Sequence, residues 1–86
     1  MQCSMETIIK VKDRIHQLQS KVDYNNWRIS EIRAVQKMLP FSSVIYLELN
    51  QEEEKLLNEI DRYKMIIRNL EDSYSNKNVT LIIYNQ

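Results

Sequence analysis

The chain has 86 residues, enough for one small domain with a thin core. Its 12 basic and 12 acidic side chains cancel, which argues against a dedicated nucleic-acid binder, since such proteins carry a basic face that displaces phosphate counterions. No apolar run approaches the roughly 18 residues a membrane span needs, and the only cysteine, Cys3, suits a reducing compartment.

The opening stretch MQCSMETIIKVKDR has no basic region followed by an apolar one, so no secretory signal is expected and a cytoplasmic location is. The composition is rich in Ile, Asn, Lys and Tyr, has one Ala and lacks Gly, a bias that favours AT-rich codons. Small reading frames of this kind are common in phages and mobile elements, which makes such an origin an expectation. Charge is uneven along the chain: residues 1–39 hold seven basic and four acidic side chains, whereas residues 40–86 hold five and eight. Opposed halves suit two segments lying against each other.

The first segment runs from about Ser4 to Leu39. Ile8, Val11, Ile15, Leu18, Val22, Asn25, Ile29, Ile32, Gln36 and Leu39 follow each other at strict 3-4 spacing. Eight of these ten are aliphatic, which is the pattern of a coiled-coil seam rather than of a strand. Ser4 offers an N-cap, and Pro40 ends the helix because it disfavours the helical conformation at Leu39. Residues 40–43 then form a turn.

The second amphipathic segment repeats the pattern through Leu49, Glu53, Leu56, Ile60, Tyr63, Ile67, Leu70 and Tyr74. Asn50 followed by Glu53 reads as a capping-box-like start, and Glu52, Glu53 and Glu54 would sit where the helix dipole favours negative charge. That helix begins at about residue 44 or 50 and fades near residue 73. Residues 43–49 can be a strand or the start of the longer helix, with the helix preferred. The β-branched stretch Val79–Tyr84, bounded by Asn and Ser, is expected to be a short C-terminal strand.

The fold class is therefore mainly α: a single-domain antiparallel coiled-coil hairpin with a short C-terminal β-strand. At 1.5 Å per residue the first helix is about 50 Å long and the second, counted from Asn50, about 35 Å. Ile8, Val11 and Ile15 would then outrun the second helix, and an exposed aliphatic stripe calls for a second chain. Self-association as a dimer is expected, through Ile8, Val11, Ile15 and Asn25. Asn25 belongs in that set because a lone polar residue in a seam commonly sets register and oligomer state.

Nothing in the chain composes a catalytic or cofactor site. His16 is the only histidine, so no zinc set within one chain is expected, and with no glycine no phosphate-cradling loop of the usual kind can form. The stretch from Leu49 to Glu59 looks a little like the Ser-Gln-Glu-Leu-Asp helix of small sporulation-phosphorelay aspartyl-phosphate phosphatases. Asn50, Glu53 and Glu54 depart from that signature, leaving Gln51 and Glu52 as its matches. The resemblance implies a short helical hairpin that docks on a response regulator.

Opposite the seam, Trp27, Glu31, Ala34 and Met38 line up at 3-4 spacing, with Tyr24 beside them. Exposed Trp and Tyr near an Arg dominate protein–protein interfaces, so Tyr24, Trp27, Arg28, Glu31 and Met38 are the candidate partner-binding residues. Packing of the C-terminal segment or of residues 41–49 over this face is the alternative. The function expected from these features is non-enzymatic: a small regulator or inhibitor, without cofactor or metal, that binds and blocks a larger protein. An assembly adaptor that completes a helical bundle is the second reading, and the phosphatase-like hairpin the third.

Overall fold

The computed structural model describes the backbone of residues 5–85 and the side chains of residues 5–73. Two helices make up the fold, α1 (Met5–Gln36) and α2 (Val44–Asn85), joined by the turn at 37–43 and packed antiparallel. The hairpin measures 61 × 19 × 14 Å, and its radius of gyration is 18.9 Å. A compact domain of this length would have a radius near 12 Å. The core is accordingly one seam deep, and every buried side chain reports on the pairing of just two helices.

The 3-4 pattern of α1 is realised completely. Leu18, Val22, Asn25, Ile29, Ile32 and Gln36 are buried, and Ile8, Val11, Ile15 and Leu39 are half-buried. Outside that seam every residue of α1 is exposed except Arg28, which is half-buried. From α2, Ile60 and Ile67 are buried against Leu18, Val22 and Ile29, flanked by Leu56, Tyr63, Ile66 and Leu70. Apolar residues three and four apart share one helix face, so a 3-4 spacing forces this stripe to face the mate.

Several sequence expectations are corrected at the helix ends. Helix α1 stops at Gln36 rather than Leu39. The chain tightens there through amides of Met38 and Leu39 donating to the carbonyls of Val35 and Gln36, at 3.0 and 3.1 Å. Such three-residue turns satisfy terminal carbonyls without the left-handed residue that glycine would supply, and among the described residues of this glycine-free chain none has a positive φ. Pro40 then accepts from the Ser43 amide at 3.1 Å, which reverses the chain.

Helix α2 begins at Val44, the earlier of the two expected starts, so Asn50 is not its cap. The hydroxyl of Ser43 accepts from the amide of Tyr46 at 3.0 Å, so Ser43 is the N-cap. Glu52, Glu53 and Glu54 consequently lie beyond the first turn, which holds no acidic residue. Residues 44–49 are therefore helix, with Ser43 capping them.

The expected strand at 79–84 is helical, because α2 continues to Asn85. A lone strand leaves its amides and carbonyls without partners, and the described residues hold no second strand to pair with. A helix closes its own hydrogen bonds and overrides the β preference of Val79, Thr80, Ile82 and Ile83. The side chains of Val79–Tyr84, like Tyr74 of the seam, Ser4 as N-cap and Cys3, lie outside the described residues.

The length relation is thereby inverted. Helix α2 has 42 residues and α1 has 32, so α2 is the longer of the two. Ile15 packs against the core, and Ile8 and Val11 are half-buried.

Polar contacts fix how the two helices face each other. Arg28 Nε donates to Glu52 at 3.0 Å and Arg33 Nε to Glu53 at 2.6 Å. Lys21 Nζ lies 5.7 Å from the centre of the Tyr63 ring. All three join a cation of α1 to α2, as the opposed charges of the halves imply. The two ion pairs are substantially solvated, and pairs of that kind are worth at most about 1 kcal/mol. Arg28→Ala and Arg33→Ala should each lower the melting temperature by less than ~5 °C, a loss that shrinks in about 0.5 M NaCl. Thermal circular dichroism at two salt concentrations checks this, and a drop twice as large would make the pairs structural.

Candidate protein-interaction site

Two of the buried residues among those described are polar. Asn25 is 5% exposed, and its amide nitrogen donates to the Leu56 carbonyl at 3.4 Å and to Glu59 Oε2 at 3.1 Å. Gln36, nearer the turn, donates to the Tyr46 carbonyl at 3.3 Å and to Asn50 Oδ1 at 2.7 Å. No buried side-chain polar atom among the described residues lacks a partner. Each amide meets its partners only in one antiparallel register, because a slip of a turn would bury it against aliphatic side chains. Asn25, a candidate for setting register, is engaged across the hairpin with Leu56 and Glu59.

The acidic stretch of α2 is likewise engaged. Asn50 accepts from Gln36, Glu52 pairs with Arg28 and Glu53 with Arg33. Of the residues aligned with the phosphatase signature, these three make interhelical contacts, while Gln51 and Glu54 are exposed. Among the described residues no three His, Cys, Asp or Glu side chains come together in a metal-binding group. His16 is exposed on α1. No helix among them is long and apolar enough to cross a membrane.

The outer face of α1 is different. Tyr24 is 61% and Trp27 55% exposed, and their rings lie 5.9 Å apart at an angle of 39°. The three-residue spacing brings both rings to one side of the helix, one turn apart, where each supports the other's orientation. Neither residues 41–49 nor the described part of α2 covers them. Glu31 is exposed one turn further on, and Met38 lies beyond the helix in the turn. Arg28, expected to join this patch, instead turns toward Glu52. The structure thus gathers Tyr24 and Trp27 with Glu31 at hand, and separates Arg28 and Met38 from them.

Met38 belongs to a second apolar surface that the periodicity did not mark. Val35, Met38, Phe41, Val44, Ile45 and Leu47 are all exposed at the turn end of the hairpin. The Phe41 ring meets the Tyr46 ring edge-on at 5.2 Å. The signal available in the sequence was the uncharged run from Met38 to Leu47, between Lys37 and Glu48. A shallow groove of about 480 Å³ lies toward the other end, floored by Val22 and Ile67. Its rim mixes Asp23 and Glu71 with Lys64 and Arg68, so no single charge sign is selected there.

Comparison of the chain with known protein families, with curated proteins and with solved structures finds no match.

Proposed function

We propose that this chain is a non-catalytic docking module, a small regulator or inhibitor that occupies the surface of a larger protein through the Tyr24–Trp27 face of α1. The observation that carries the reading is an exposed aromatic pair on a helix whose packing is already satisfied along its opposite side. Aromatic side chains with few rotatable bonds lose little entropy on binding and supply large contact areas, and they concentrate the binding energy of interfaces. A rigid hairpin presents them without an ordering cost.

The test compares wild type with Trp27→Ala, in pull-downs from cells of the source organism and in thermal melts. Recovery of one larger stoichiometric protein by wild type is expected. Trp27→Ala should lose it at least tenfold, with a melting temperature within ~2 °C. A fall of more than ~5 °C would make Trp27 a structural residue and overturn the reading. Recovery of a multi-subunit particle in place of one partner would favour an assembly adaptor.

A further inference from the structure

We propose that the turn end of the hairpin is a self-docking surface, through which two copies of the chain join tip to tip about a two-fold axis. This rests on observations separate from the aromatic face. Val35, Met38, Phe41, Val44, Ile45 and Leu47 are between 46 and 84% exposed and fall within 13 consecutive residues around the turn. The ten residues from Met38 to Leu47 form the longest uncharged run in the chain. Apolar side chains at this density on one end of a rod are unlike the singly scattered ones found on ordinary surfaces.

The charges that frame the tip select the occupant. Lys37 precedes the uncharged run on the α1 side, and Glu48 follows it on the α2 side. A surface with one cation on one flank and one anion on the other is complementary to itself under a two-fold rotation, which sets Lys37 of each copy toward Glu48 of the other. A lipid surface of anionic character would call for a basic rim on both flanks. The exposed part of the six side chains amounts to something on the order of 700 Å² per copy, close to the ~800 Å² that each partner contributes to a standard interface. That area suits a dimer held at micromolar rather than nanomolar concentration. The tip is also preorganised, by the Ser43 cap, the Pro40–Ser43 turn and the contact of Phe41 with Tyr46.

Sedimentation equilibrium of the full chain, from about 1 to 200 µM, reads the association directly. Wild type should pass from the 10.4 kDa monomer to a dimer across this range. Phe41→Glu should weaken association at least a hundredfold. Met38→Glu should do the same, and because Met38 is 84% exposed it guards against a local disturbance at Phe41. Lys37→Glu and Glu48→Lys should each be monomeric alone and form a heterodimer when mixed, since mixing restores both cross-pairs. A wild type that stays monomeric at the top concentration overturns the proposal. So does a dimer that all four variants leave intact, which would place the interface elsewhere. A monomer that cosediments with phosphatidylcholine vesicles assigns the tip to lipid and overturns it as well. None of these readouts involves Trp27, so failure here leaves the docking reading standing, and failure there leaves this one.

Discussion

Leu18→Ala and Ile32→Ala should each remove most of the stability of this protein. The two side chains are 1 and 2% exposed, the most completely buried among the described residues. Truncating a buried Leu or Ile to Ala costs about 2–5 kcal/mol, from lost transfer energy and the cavity left behind. A single seam cannot collapse around the gap from a second layer, because no second layer exists. Small domains of this size have only about 3–5 kcal/mol to lose. Urea unfolding followed by helical circular dichroism should show midpoints falling to near zero denaturant for both variants. Ile9→Ala, at an exposed position of the same helix, should change stability by less than ~0.5 kcal/mol. Losses below ~1 kcal/mol at both buried positions would show that the seam is not what holds the helices together.

Asn25→Leu should have the opposite sign on stability and a cost in uniqueness. The Asn25 amide is satisfied by Leu56 and Glu59, but it gives up water to reach them. A buried hydrogen bond nets about 1 kcal/mol, whereas burying a leucine side chain in the same seam contributes roughly 1.5–3 kcal/mol. A rise of ~1–2 kcal/mol, or about 5–10 °C in melting temperature, is the expected result. With the amide gone, slipped registers lose their largest penalty, and only Gln36 near the turn still discriminates. Amide NMR should show one set of peaks for wild type and broadened or multiple sets for the variant. Asn25→Ala separates the effects: it leaves a cavity and frees the Glu59 contact, and should be destabilising by about 1–3 kcal/mol. An Asn25→Leu protein that melts below wild type would show that the polar layer stabilises outright.

The two experiments probe the same seam from opposite directions, and together they explain how so thin a molecule holds one shape. Aliphatic layers supply adhesion that is indifferent to register, since one isoleucine packs on a neighbouring layer nearly as well as on its own. The polar layers at Asn25 and Gln36 supply discrimination, because an amide has few acceptable partners. The ion pairs of Arg28 and Arg33 add orientation at the surface and little energy.

The hairpin is legible in the order of the residues alone. A 3-4 repeat is a local property of the chain, and once helix forms it fixes which side chains share a face. All ten seam positions of the first segment are therefore buried or half-buried, down to the polar Asn25 and Gln36. The exposure of Tyr24 and Trp27 follows from the same geometry, since they stand off the seam. What the sequence could not decide were the ends and the choices between partners. Whether Ser43 or Asn50 caps α2 depends on which oxygen reaches a free amide in space, and only Ser43 does. Whether Val79–Tyr84 is strand or helix turns on a second strand being within reach, and β preference carries no information about that. Arg28 could have served the outer patch or the mate, and a nearby Glu52 took it. The apolar tip arises because the turn folds Val35, Met38 and Phe41 together with Val44, Ile45 and Leu47, residues that belong to no common period. Periodicity determined the faces of the helices; long-range contacts alone decided where those helices end, which polar groups meet across them, and what the turn presents to solvent.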